Sequence, residues 1–84
     1  MKELRWDPKK NIELKKTRNI TFEQLINSRF IGIEDHIKKT HQKLMLFDFN
    51  KYVWVVPYVN EKDFFFLKTA FPSRKHTKKY LGEK

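Results

Sequence analysis

The 84-residue chain contains no cysteine, two glycines and three prolines. Without cysteine there is neither a disulfide nor a thiolate metal site, which fits a reducing compartment. Two glycines leave no glycine-rich loop to cradle a phosphate, and no serine sits in a nucleophile motif. No apolar run approaches the roughly 20 residues needed to span a bilayer, and the charged N-terminus has no apolar stretch behind it. A cytoplasmic protein without membrane association is expected. The length corresponds to one domain, residues 1–84, with a small core.

Positive charge and aromatic side chains are what the chain has in excess. Nineteen basic residues against ten acidic give a formal charge of +9, which favours a polyanionic partner. The charge is segmented: residues 1–19 carry +4, 20–35 carry −2, 36–43 carry +3, 44–67 carry −1 and 68–84 carry +5. Three basic segments converging in space would form a groove that tracks phosphates, with binding that weakens steeply in salt. Many small proteins also carry solvated lysines with no such role.

The chain turns on Asp63–Tyr80, where an aromatic run passes into a basic one. Phe64–Phe71 suits a pleated strand that Pro72 ends, and Ser73 is an N-cap for a helix over Arg74–Leu81. Upstream, Glu3–Trp6 alternates like a short strand. Asp7-Pro8 starts a helix to about Arg18, with a narrow apolar stripe of chiefly Ile12 and Leu14 and with Asn19 as its cap. Thr21 and Gln24 have capping-box spacing, Ile20 and Leu25 that of a hydrophobic staple, and Phe22, Leu25, Ile26 and Arg29 helical spacing. That second helix ends near Asn27–Arg29. Phe30–Ile33 fits either a last turn or an extended piece, and polar Glu34–Gln42 reads as an exposed loop. Lys43–Phe49, Tyr52–Val59 and Phe64–Phe71, with short polar connections, read as an antiparallel meander. Pro57 predicts either a bulge or the end of pairing on one side. The expected fold class is α+β: a short N-terminal strand, two helices on one face of three further strands, and a C-terminal helix.

The available chemistry is that of phosphate. Cleavage of an RNA phosphodiester requires a group that aligns or deprotonates the 2′-hydroxyl, cations at the phosphorus, and a proton donor for the leaving oxygen. Arg74, Lys75, Lys78 and Lys79 can supply the cations. His41, His76 or Tyr80 can move the proton, histidine being the residue type matched to neutral pH. Each histidine could equally be a surface residue, Tyr80 could pack the last helix on the sheet, and Lys68 could face either solvent or the groove. The histidines lack a carboxylate pattern typical of zinc, so no metal and no cofactor are expected. A different reading is open. Tyr52, Trp54 and Tyr58 alternate on one strand, with Phe64 and Phe66 as possible cross-strand neighbours, and these five form either core or a base-stacking platform for a non-catalytic RNA-binding module.

Trp6-Asp7-Pro8-Lys9-Lys10-Asn11, Leu14-Lys15-Lys16 and Ile20-Thr21-Phe22-Glu23 resemble the start of BrnT-type toxins of bacterial type II toxin-antitoxin systems. Tyr52–Val59, Phe66–Thr69, Phe71-Pro72-Ser73-Arg74-Lys75 and Thr77-Lys78-Lys79-Tyr80 resemble a BrnT-like subgroup. The likeness lies in the order and spacing of these segments over nearly the whole chain except Phe30–Gln42. Arg18-Asn19 stands where His-Gly is usual in that family, and His76 where a small residue is expected. The resemblance implies a RelE-like fold and a metal-independent endoribonuclease that arrests translation, on the ribosome or off it. It also implies a co-encoded DNA-binding antitoxin through which the complex meets operator DNA. On that reading Arg74 and Lys75 stabilise the scissile phosphate and His41 or Tyr80 assists proton transfer. Lys15, Lys16, Lys68, Lys78 and Lys79 hold the RNA backbone. Arg74 and Lys75 are expected at the mouth of a groove lined by the N-terminal helix and the 34–42 segment.

Overall fold

Local signals set the first helices in the computed structural model, which describes residues 2–82. After β1 (Glu3–Trp6), the Asp7 carboxylate accepts a hydrogen bond from the Lys9 N–H at 3.0 Å and starts α1 (Pro8–Arg18). Asn19 ends α1 in the left-handed region, φ 56° and ψ 37°, and donates its N–H to the Lys15 carbonyl. The apolar stripe of α1 is narrower than expected: Leu14 is buried, whereas Ile12 is exposed. Both halves of the Thr21–Gln24 capping box form at α2 (Phe22–Ile26), and the staple residues Ile20 and Leu25 are both buried. The second helix stops at Ile26, so Arg29 does not share its face; it opens a strand instead.

That strand is the main correction to the sequence reading. β2 (Arg29–Asp35) pairs antiparallel with β3 (Gln42–Phe49), so Phe30–Ile33 is extended, Glu34 and Asp35 belong to the sheet, and only 36–41 form a loop. β3 leads into β4 (Tyr52–Asn60) through Asn50-Lys51, both left-handed at φ 55° and 64°, a two-residue turn whose twist matches the flanking strands. β5 (Phe64–Leu67) pairs antiparallel with β4. The expected continuous strand Phe64–Phe71 breaks after Leu67 and resumes as β6 (Phe71–Pro72), which pairs with Trp54 and Val55. Pro57 accounts for the break. Its carbonyl accepts the Lys68 N–H at 2.8 Å, so its proline nitrogen, which has no hydrogen to give, faces the same side between β5 and β6. Pairing therefore ends on one side there, while Pro57 stays in register with Leu44 on the other.

The strand order is β1-β5-β4-β3-β2, with β6 beside β4 and β1 parallel to β5. The class is thus α+β, with a mixed six-stranded sheet that adds β2, β6 and a parallel edge to the expected meander. Among the described residues no helix is long and apolar enough to cross a membrane.

The sheet is covered on both faces. α1 and α2 lie on one, where Leu14, Phe22 and Leu25 pack with Met45, Phe47, Val56 and Tyr58. α3 (Arg74–Leu81) lies on the other, with Leu81 against Leu44, Leu46, Val53 and Val55. α1 and α3 are therefore separated by the sheet, and the N-terminal helix does not line a groove with Arg74 and Lys75. The five aromatics do not share one platform either. Tyr58 is buried with its ring edge-on to Phe65 at 5.1 Å, and Trp54 packs against the same core, whereas Phe64 and Phe66 alternate onto the opposite face.

Candidate nucleic-acid site on the C-terminal helix

α3 buries no residue completely, and polar bonds set its position. The Ser73 hydroxyl caps the helix by accepting the His76 N–H at 3.1 Å, and the Ser73 N–H donates to the Val53 carbonyl at 2.9 Å. The Thr77 hydroxyl donates to the Ser73 carbonyl at 2.7 Å and accepts the Val53 N–H at 2.9 Å. The first turn is thereby fixed to β4, which is what aims Arg74 and Lys75.

Glu34 of β2 ties down the next turn. Its Oε1 lies 3.1 Å from His76 Nε2, and its Oε2 accepts from Lys79 Nζ at 3.0 Å and from the Tyr80 hydroxyl. The three donors, Tyr80 foremost and then Lys79 and His76, hold the Glu34 carboxyl down to about 2. The same bond to Glu34 pushes the Tyr80 phenol up, and that to the carboxylate pushes the Lys79 ammonium up. Tyr80 is therefore a neutral O–H donor at neutral pH and not a base. The imidazole and phenol rings lie nearly parallel, 4° apart with centroids 6.4 Å apart. His76 Nδ1 is 2.7 Å from the Ser73 hydroxyl. The network assigns the proton of a neutral His76 to Nε2, facing Glu34, and leaves Nδ1 to accept from Ser73.

Arg74 and Lys75 occupy the first two helical positions, are exposed, and have no ion pair or hydrogen bond among the described residues. No acidic residue stands in that first turn. Two cations at the positive end of a helix each cost a few tenths of a kcal/mol, roughly 0.3–1. A bound anion removes that cost and takes up N–H groups of the first turn as well.

The other candidates scatter. His41 is exposed in the 36–41 loop and shares no hydrogen bond, ion pair or ring contact with this cluster among the described residues. Lys15 and Lys16 are exposed on α1, on the far face of the sheet. Lys68 is exposed, with Nζ 5.4 Å from the Phe66 ring centroid, and Lys78 is exposed on α3. The residue that sequence reasoning missed is Glu34, placed in a loop; the run Phe30, Ile31, Ile33 before it was the available strand signal. The cluster offers one carboxylate and one imidazole, and no group of three His, Cys, Asp or Glu side chains fit for a metal occurs among the described residues. Comparison of the chain with protein-family models, curated proteins and solved structures finds no match.

Proposed function

We propose that the protein is a metal-independent endoribonuclease that acts as the toxin of a type II toxin-antitoxin pair in the cytoplasm, cutting RNA and so inhibiting translation. The observation that carries the reading is the pair of unpartnered cations, Arg74 and Lys75, one helical turn from a histidine and a tyrosine ordered by a single carboxylate. The BrnT-like order of segments, with the RelE-like fold and the DNA-binding antitoxin that it implies, supports the same reading.

In the proposed step Arg74 and Lys75 hold the phosphate, Arg74 by two parallel hydrogen bonds. The 2′-oxygen bonds to phosphorus as the bond to the 5′-oxygen breaks, which leaves a 2′,3′-cyclic phosphate. The 2′-hydroxyl proton passes through the Ser73 hydroxyl to His76 Nδ1, and the imidazolium formed is stabilised by Glu34. Tyr80 donates its proton to the departing 5′-oxygen, and Lys79 offsets the phenolate charge at a ring 5.2 Å away.

A second reading is RNA binding without cleavage. It is favoured by the engagement of both His76 nitrogens, which suits a brace for α3 as well as a relay. Incubation of the purified chain with RNA, with and without ribosomes, separates the two. Cut ends bearing 2′,3′-cyclic phosphate that vanish in Arg74→Ala support cleavage. Retention of RNA without any cut in either condition overturns it in favour of binding.

A further inference from the structure

The face that carries α1 and α2 is only partly covered by them. Beside α2 an apolar trough of about 130 Å³ crosses the strands, lined by Leu4 of β1, Phe65 of β5, Met45 and Phe47 of β3, Phe30 and Ile33 of β2, and Ile26 of α2. Phe30 is 47% and Ile33 51% exposed, an unusual outlay of large apolar side chains on the edge strand of so charged a chain.

We infer that this trough is the docking site for one amphipathic helix of an acidic partner chain. Its direction selects a helix. It runs across the strands from β2 to β1, four inter-strand steps or roughly 19 Å, which is the length of a helix of about 13 residues. A partner strand added to the free edge of β2 would lie at right angles to it. The irregularity between Phe30 and Gly32 and the charged Arg29, Glu34 and Asp35 also make that edge a poor template. Charge selects the acidic partner. Lys2 stands 5.4 Å over the Phe65 ring at the β1 end, Lys43 at the β3 end is balanced by Asp35 at 2.8 Å, and the whole chain carries +9. A second copy would bring a further +9 against this surface, so the occupant is a different chain. The site lies on the opposite face of the sheet from Arg74 and Lys75, and the inference stands without the ribonuclease reading.

The test titrates the isotope-labelled full chain with a 14-residue blocked helical peptide that has leucine along one face and glutamate elsewhere, and with its lysine-for-glutamate counterpart. Saturable amide shifts at Ile33, Met45 and Phe65 are expected with the glutamate peptide. Affinity should be at least tenfold weaker with the lysine peptide, and at least tenfold weaker in Ile33→Asp and Phe30→Ser, both of which keep the far-UV spectrum because the side chains are exposed. No saturable shift, equal affinity for the two peptides, or shifts centred on α3 overturn the inference. So does a dimer of the chain alone that Ile33→Asp dissociates, which would assign the trough to a second copy.

Discussion

Glu34 and Tyr80, 46 residues apart in the chain, share one hydrogen bond, and through it the edge strand β2 fixes the last turns of α3. The same carboxylate reaches Lys79 and His76, so one side chain determines whether the cationic helix is held against the sheet or frays.

Glu34 therefore gives acid sensitivity with a defined window. Its pKa falls from an ordinary 4.5 to about 2 on folding, so its contribution is fully present above pH 4.5 and is lost as pH falls from about 4.5 to about 2. Glu34→Gln should flatten that limb of the stability–pH curve, as read by denaturant midpoints across pH 2–6. Glu34→Ala, which leaves three donors without their acceptor, should cost about 1–3 kcal/mol at neutral pH. Because the phenol is raised by Glu34, the Tyr80 component of an alkaline absorbance titration, isolated with Tyr80→Phe, should move down in Glu34→Gln.

Arg74 and Lys75 make the opposite prediction. Their removal loses no internal partner and relieves two cations at a helix N-terminus, so the double alanine variant should be as stable as the parent or more stable by up to about 1 kcal/mol. RNA cleavage should fall on the order of a hundredfold. Thermal unfolding and single-turnover rates on the same preparation separate the two effects.

Thr77→Val replaces a hydroxyl that accepts the Val53 N–H and donates to the Ser73 carbonyl. Leaving that N–H unpaired should cost about 1–3 kcal/mol, and hydrogen exchange should show lost protection in α3 and at Val53 before the rest of the sheet responds.

Lys51 sits at φ 64° in the β3–β4 turn. Lys51→Gly removes a side chain from a backbone region that disfavours it by about 1–2 kcal/mol, partly offset by glycine's greater freedom when unfolded. A net gain of about 1 kcal/mol is expected, visible as a rise in Tm of about 4–8 °C.

What was legible in the sequence was what is decided within a few residues. Asp7, the Thr21–Gln24 box, Ser73 and the Asn50-Lys51 turn act on their own neighbours, and the chain obeys each. Pro57 also acted as its chemistry requires, by ending a ladder on one side. β2 was not legible because the shift between Phe30 and Gly32 spoils strict alternation and because an edge strand keeps half its apolar side chains exposed. Glu34 looked like loop polarity since its partners lie 42 to 46 residues away. For the same reason residue type alone could not rank His76 above His41. The burial of both sheet faces was hidden as well, since α3 is polar and contributes little more than Leu81 to the core beneath it.

The most direct test of the account is single-turnover cleavage of one RNA, with ribosomes and without, against the same RNA carrying a 2′-deoxy nucleotide at the cut position. The account predicts cleavage of the first with a 2′,3′-cyclic phosphate end, no cleavage of the second despite equal binding, and no cleavage of either by Arg74→Ala/Lys75→Ala. Cleavage of the deoxy-substituted strand, or undiminished cutting by the double variant, would contradict it.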